Sequence, residues 1–186
     1  MTATNASANA TARNPARVRL RPTMSSDLEF VLSLEQDPAN LPFITPWERT
    51  QHEAAIRFPD FRHFIVEGGP EGTQAVGFVI LIGCKSRHQS LELKRMVVRS
   101  KGEGLGRASL REVKKIAFGD LNAHRLWLDV KQHNTRAKAL YDSEGFIVEG
   151  VLRESVRVEN GFESLVVMSM LQPEFARRRE SGLEAV

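Results

Sequence analysis

Residues 91–118, LELKRMVVRSKGEGLGRASLREVKKIAF, contain a strand signal, a glycine-rich turn and an amphipathic helix in succession. The apolar-rich residues at the start predict a strand. After the turn, Leu110, Val113 and Ala117 fall on one stripe with lysine and arginine between them, which predicts a helix with one buried face. We expect this strand–loop–helix unit to organise the rest of the chain.

The turn carries three glycines at alternate positions, Gly102, Gly104 and Gly106. Glycine lets the backbone approach a ligand closely, and the helix behind the turn presents unpaired N–H groups and its positive dipole end to the same point. The arrangement therefore predicts a phosphate-binding loop. No Gly-Lys-Ser/Thr ends the turn, which excludes a nucleoside-triphosphate loop, and the glycine spacing differs from the dinucleotide fingerprint. A turn that binds nothing is the alternative for this motif taken alone.

The composition is typical of one ordinary globular domain: 186 residues, 41% of them hydrophobic and 26% charged. A net charge of +3 gives no reason to expect a nucleic-acid partner, and no apolar run is long enough to span a membrane. The single cysteine, Cys84, excludes an intramolecular disulfide, and the five histidines form no metal-binding cluster. We predict a cytoplasmic monomer or homodimer without a bound metal.

Hydrophobic periodicity between residues 17 and 171 predicts the element order β-α-α-β-β-β-α-β-α-β-β. The expected fold class is α/β (α+β), with a mixed, mostly antiparallel sheet of about seven strands and helices on both faces. Residues 1–16 are small and polar and predict a disordered tail. Residues 172–186 are also polar, and we expect them to form a solvated C-terminal tail.

A second motif, NTRAKALYDSEGF, occupies residues 134–146. Asn134 and Tyr141 are seven residues apart, two helical turns, so they share one face of the predicted helix. Asn134 also stands at the helix start, where its side chain can cap. Taken singly, a helix cap would explain Asn134 and simple packing would explain Tyr141.

The two motifs together resemble those of the GNAT acyltransferases, which bind acetyl-coenzyme A. Read as basic-x-x-Gly-x-Gly, the residues Lys101, Gly104 and Gly106 resemble the family's pyrophosphate loop, and residues 134–146 resemble the acetyl-CoA segment that follows it. The resemblance covers about residues 17–171 and looks like the ribosomal-protein alanine acetyltransferase (RimJ/RimL) branch. It implies the GNAT fold, in which two adjacent parallel strands splay apart and the pantetheine arm lies between them.

The resemblance implies acetyl-CoA as the cofactor. Backbone N–H groups of the loop would hold the pyrophosphate, with charge added by Lys101 and Arg107. Strand backbone at residues 96–98 would pair with the pantetheine amides and place an N–H near the thioester oxygen. The expected cofactor-binding residues are Met96, Val97, Val98, Lys101, Gly102, Glu103, Gly104, Leu105, Gly106, Arg107, Asn134, Arg136, Ala137 and Tyr141.

Acetyl transfer to an amine also needs a base, because an unperturbed amine is largely protonated at neutral pH. Glu92 is the best candidate by resemblance, acting through a water if needed, and an outward charge beside Lys94 is its alternative. Tyr141 would protonate the leaving thiolate, a role that the family assigns to this tyrosine. Glu92 and Tyr141 are therefore the expected catalytic residues.

The acceptor side is expected at residues 43–47, which resemble the segment that walls the acceptor cleft. Phe43, Trp47 and Glu92 are the predicted substrate-binding residues, although Trp47 would equally plug the core under a loop. Few acidic residues lie nearby, which slightly disfavours a polycationic acceptor. The predicted function is acetyl-CoA-dependent N-acetylation by direct attack in a ternary complex, most like that of a protein amino terminus. The alternatives are a small amine (a polyamine, amino acid or amine antibiotic) as acceptor, or a non-catalytic acyl-CoA sensor.

Overall fold

The computed structural model describes residues 17–69 and 71–183, and the predicted N-terminal tail lies outside them. Seven strands form one sheet: β1 Arg19–Pro22, β2 Phe61–Gly68, β3 Gln74–Ile82, β4 Ser90–Val98, β5 Arg125–Lys131, β6 Ile147–Val158 and β7 Gly161–Leu171. Their order in the sheet is β1-β2-β3-β4-β5-β7-β6. Only β4 and β5 pair in parallel, so the predicted mostly antiparallel sheet is confirmed.

Helices cover both faces of this sheet: α1 Leu28–Glu35, α2 Arg49–Arg57, α3 Leu105–Lys115, α4 Thr135–Ser143 and α5 Gln172–Glu180. Successive residues of β2 point to opposite faces, so Phe64 and Val66 join the larger core under α3, while Ile65 joins the smaller core under α1. The predicted stripe of Leu110, Val113 and Ala117 is fully buried in the larger core, with Ala117 in the π-helical turn Ile116–Asp120 that continues α3. No helix of the described residues combines the length and hydropathy that a membrane crossing requires.

The two parallel strands diverge soon after they meet. Residues 90–92 of β4 pair with residues 125–127 of β5, and beyond them the two strands share no ladder. A β-bulge beside Lys94 shifts the alternation of side chains along β4 by one residue. As a result, Leu93 faces the larger core whereas Val97 faces the smaller one. The splayed strands implied by the family resemblance are therefore present.

The segment after β7, expected from its polar composition to be a solvated tail, forms α5 over residues 172–180, and only Phe175 of this helix is buried. The backbone N–H of Leu171 donates to the Glu174 carboxylate at 2.8 Å and caps this helix. The ring of Phe175 is buried and stacks on Phe118 with 4.8 Å between the centroids. A single apolar anchor among charged residues produces no periodic stripe, so the sequence pattern does not indicate this helix.

Candidate active site

A cleft of about 880 Å³ opens where β4 and β5 diverge. Its walls are the exposed edges of these strands, the glycine loop before α3, the start of α4 and the segment between α1 and α2. The strands supply backbone groups that no neighbouring strand uses, and the loops supply side chains. An extended ligand with amide groups would fit between the strands in the manner of a pairing strand.

The glycine loop presents its backbone to one end of the cleft. Gly104 is the N-cap residue of α3 and adopts φ +81°, a left-handed conformation that side chains other than glycine rarely take. The N–H groups of residues 101–107 donate no hydrogen bond to any other described residue. These unpaired donors and the positive end of the α3 dipole fit an anion such as the pyrophosphate of coenzyme A.

The cations near this loop differ in whether their side chains are already bound to other residues. The Lys101 ammonium donates to the carbonyl of Ala39 at 3.0 Å and to the side chain of Asn40, and burial together with the nearby Arg136 lowers the pKa of Lys101. Arg136 lines the cleft and has no hydrogen-bond or ion-pair partner in the described part of the chain. Its guanidinium is therefore available to an anionic ligand.

The third cation predicted for this site, Arg107, is tied to a buried carboxylate. Its Nη1 lies 2.5 Å from Oε1 of Glu144, which also binds Arg111 and Lys114. Burial opposes ionisation of Glu144, yet these three cations together lower its pKa. Arg107 thus joins α3 to the end of α4 as well as lining the cleft.

The start of α4 faces the middle of the cleft. The side-chain oxygen of Asn134 accepts a hydrogen bond of 3.1 Å from the backbone N–H of Ala137, so Asn134 caps the helix as its alternative interpretation required. Two turns later, Tyr141 is only 9% exposed and contributes to the same wall. Both residues therefore lie on one face of α4, as their spacing predicts.

Tyr141 and Asp129 line the same cleft. Burial, with a smaller contribution from the Asp129 charge, raises the pKa of Tyr141 to about 12, so its hydroxyl keeps its proton at neutral pH. Neither the hydroxyl nor the Asp129 carboxylate makes a hydrogen bond or ion pair with another residue that the structure describes. A protonated donor and a free carboxylate in one cleft are suited to proton transfer.

Asp129 is a site residue that sequence reasoning missed. The signal available was the alternation of β5, in which Leu126, Leu128 and Val130 are buried and the intervening side chains face the other way. That alternation predicts an outward Asp129, but it does not reveal that β4 has already diverged there and left a cleft beside the side chain.

Three predicted residues lie outside the cleft lining. The Glu92 carboxylate is bound by Lys94 Nζ at 3.1 Å, which matches the alternative interpretation of Glu92. Glu103 is exposed on the glycine loop, and Leu105 is buried in the larger core. The lining includes all the other predicted residues: Phe43, Trp47, Met96, Val97, Val98, Lys101, Gly102, Gly104, Gly106, Arg107, Asn134, Arg136, Ala137 and Tyr141.

The part of the cleft wall around Trp47 is fixed by a buried ion pair. Glu35 is 0% exposed and accepts hydrogen bonds from the guanidinium of Arg95 and from the backbone N–H of Trp47. Arg95 also donates to the carbonyl of Thr45 at 2.8 Å and lies over the Trp47 ring, 5.2 Å from its centroid. A sequence signal for Glu35 exists, since it continues the stripe of Leu28 in α1 at the spacing of two turns.

Three cations hold the segment between α1 and α2 by hydrogen bonds to its backbone carbonyls. Lys101 donates to the carbonyl of Ala39 at 3.0 Å, and Lys131 donates to that of Pro42 at 3.0 Å. Arg95 donates to the carbonyl of Thr45 at 2.8 Å. The cations come from the glycine loop, β5 and β4, so the segment is attached to both splayed strands. Phe43 and Trp47 are held over the cleft as a consequence.

Comparison with known proteins agrees with this geometry. The family model of the acetyltransferase (GNAT) domain matches residues 17–147. A curated relative, the spermidine N(1)-acetyltransferase of Vibrio cholerae serotype O1, is 25% identical over 176 residues, and the match covers 89% of this chain and 99% of the relative.

Solved structures show the same likeness. A chimera of the spermidine N-acetyltransferase SpeG from Vibrio cholerae and hSSAT is 26% identical, with a TM-score of 0.78 over 87% of this chain and 99% of that chain. The Vibrio cholerae enzyme in complex with CoA and spermine is 25% identical, with a TM-score of 0.77 over 86% of this chain and 98% of that chain. These relatives are spermidine acetyltransferases, so they do not specifically support the RimJ/RimL branch.

The predicted fold, enzyme class and cosubstrate are confirmed by these matches. The protein has the GNAT fold, uses acetyl-CoA and is an N-acetyltransferase. The unpaired N–H groups of residues 101–107 and the free Arg136 guanidinium are the features of this chain that fit the cosubstrate. With more than half of its residues matched by the family model, the chain belongs to the GNAT acetyltransferase family.

Proposed function

We propose that this enzyme acetylates the primary amine of a small molecule by direct attack in a ternary complex. The observation that carries the proposal is the free Asp129 carboxylate in the same cleft as the protonated Tyr141. An ammonium group entering this cleft would meet one unpaired carboxylate and one protonated hydroxyl. The named relatives, which are spermidine acetyltransferases, support a small amine over the peptide amino terminus predicted from the sequence.

The cosubstrate supplies an acetyl thioester and departs as a thiol. The N–H groups of residues 101–107 and the Arg136 guanidinium would hold its pyrophosphate, far from the reacting carbon, where binding energy serves orientation. The free edge of β4 at residues 96–98 would pair with its amides. Asn134 and Ala137 would border the arm at the start of α4.

Two residues would carry out the proton transfers. Asp129 would bind the acceptor ammonium and accept its proton, because it faces the cleft without a partner, whereas Glu92 is paired with Lys94. Tyr141 would hold its proton until the sulfur departs and would donate it there. The acceptor nitrogen loses two protons in all, one to Asp129 when the ammonium becomes a neutral amine and one when the amide forms. The second proton replaces the one that Tyr141 gives to the sulfur, and the first passes from Asp129 to solvent, so the transfer is balanced.

A first experiment measures coenzyme A release by the purified full chain with small amines and with short peptides that have free amino termini. Turnover of small amines supports the proposal, and turnover of peptides alone would replace it with the peptide acceptor of the RimJ/RimL branch. Binding of acetyl-CoA without turnover of either class would favour the acyl-CoA sensor.

A second experiment separates the two candidate carboxylates. Asp129→Asn should lower kcat/KM by at least about 100-fold, the usual scale for loss of a general base. Glu92→Gln is the matched variant, and we expect it to change kcat/KM by less than about threefold because its carboxylate already serves Lys94. The reverse order of effects would restore Glu92 as the base.

A further inference from the structure

The part of the cleft lined by the segment between α1 and α2, residues 93–95 of β4, residues 129–131 of β5 and the β6–β7 hairpin, called here the acceptor half, has apolar walls. Phe43, Ile44 and Trp47 line it from the segment between α1 and α2, and Val156 and Leu165 line it from the β6–β7 hairpin. The Trp47 ring is fixed because its backbone is bound to Glu35 and its face is covered by Arg95. A rigid aromatic wall favours an apolar ligand of similar thickness.

The charges in the acceptor half nearly cancel. Each of the three cations that line it is bound to a carboxylate, and the pairs are Lys94–Glu92, Arg95–Glu35 and Lys131–Glu163. Asp129 is the one charged group lining this half that has no ion pair within residues 17–69 and 71–183. The acceptor half therefore carries one uncompensated negative charge.

One negative charge suits an acceptor with one ammonium group. A polyamine bound at Asp129 through the reacting nitrogen would bring further ammonium groups against apolar walls and paired cations, and each would be desolvated without a counterion. An amino acid would bring its carboxylate close to Asp129 with no free cation to bind it. Both classes are disfavoured by the same charge balance.

We infer that the preferred acceptor is a monoamine on an apolar, aromatic-sized body rather than a polyamine. The inference rests on the proposed function and narrows its substrate class. It also separates this chain from its named relatives, which are spermidine acetyltransferases. We therefore expect the acceptor preference of this chain to differ from that of these relatives.

The test compares kcat/KM for phenethylamine and for spermidine with the same acetyl-CoA concentration. We expect phenethylamine to be preferred by at least about tenfold, the factor that corresponds to 1.4 kcal/mol. Equal or better turnover of spermidine would overturn the inference while leaving the small-amine proposal intact. Turnover of peptides alone would overturn the proposal and the inference together.

A charge-adding variant tests the reason for the preference. Gln51 lines the cleft and caps α2 by accepting a hydrogen bond from the Glu48 N–H, a role that an isosteric carboxylate retains. Gln51→Glu should therefore raise the spermidine-to-phenethylamine ratio of kcat/KM by at least about threefold through charge attraction. Gln132→Glu makes the same charge change outside the cleft lining and should leave the ratio unchanged. The same ratio in both variants would contradict the charge argument.

Discussion

The backbone N–H of Trp47 donates a hydrogen bond of 2.6 Å to the buried carboxylate of Glu35. The other oxygen of that carboxylate binds Arg95, whose guanidinium reaches on to the carbonyl of Thr45. Burial opposes ionisation of Glu35, but the hydrogen bond with His52, the Arg95 charge and the Trp47 N–H lower its pKa. One ionised carboxylate on α1 therefore sets the position of the wall that faces the acceptor.

Glu35→Gln should destabilise the fold by about 3–5 kcal/mol, because the variant leaves the Arg95 guanidinium buried without its counterion. We also expect the KM for the acceptor to rise more than the kcat falls, because the wall at Trp47 would move whereas Asp129 and Tyr141 would keep their positions. Urea unfolding and steady-state kinetics measure the two effects. Glu29→Gln is the control, because Glu29 pairs with Arg49 at the surface and its loss should cost at most about 1 kcal/mol. Equal losses in the two variants would contradict this account.

His63 makes stability depend on pH. The side chain is buried, with its ring nitrogens 2.9 Å from the Thr23 hydroxyl and 3.0 Å from the His52 ring, and burial followed by the His52 charge lowers its pKa from 6.5 to about 4. Between these values the unfolded chain binds a proton that the folded chain does not, so stability falls as pH decreases from 6.5 towards 4. The shift corresponds to about 3 kcal/mol.

Denaturant unfolding at a series of pH values measures this slope. His63→Gln should flatten it, because the amide has no proton to gain, whereas the exposed His88→Gln should leave it as in the wild type. A wild-type slope that His63→Gln does not alter would assign the pH dependence to other groups.

The parts of the fold that depend on local pattern could be predicted from the sequence. The stripe of α3 follows from its periodicity, and the glycine loop follows from its glycines and the helix behind it. The capping position of Asn134 is equally local, since the bond it makes is to Ala137, three residues on. In each case the residues that interact are neighbours along the chain.

The features that sequence reasoning missed depend on distant partners. Phe175 anchors α5 on Phe118, far back in the chain, and without that contact its segment is only polar. Asp129 becomes a free carboxylate because β4, an earlier strand, diverges from β5. A strand pattern indicates which face a side chain occupies, but not what lies opposite it.

Gly104→Ala should weaken coenzyme A binding by at least about tenfold, because the added Cβ obstructs close backbone approach and φ +81° is strained for alanine. The strain itself should cost about 1–2 kcal/mol of stability. Gly72→Ala is the matched control, since Gly72 has φ +71° and open space around it in the β2–β3 turn. Both variants should lose similar stability by thermal unfolding, and only Gly104→Ala should lose affinity in calorimetry.

Tyr141→Phe should lower kcat by at least about 100-fold while leaving the affinity for coenzyme A unchanged, because the hydroxyl is needed for proton donation and the ring for packing. The ring packs against Phe146, 5.8 Å away between centroids, and phenylalanine preserves that contact. Steady-state kinetics and calorimetry on the same preparation measure the two quantities. Wild-type turnover in this variant would exclude Tyr141 as the proton donor.

Tyr141 is also the only tyrosine of the chain, so its ionisation is visible directly as tyrosinate absorbance in the near ultraviolet. The folded protein should show no tyrosinate up to about pH 11, whereas the urea-unfolded chain should ionise near pH 10. Because burial is the larger cause of the raised pKa and Asp129 the smaller, Asp129→Asn should lower the folded midpoint by less than about one unit. Glu92→Gln should leave the midpoint where it is, since the Glu92 charge is not among its causes. A midpoint that responds to Glu92→Gln and not to Asp129→Asn would show that Glu92, and not Asp129, is the carboxylate that acts on Tyr141.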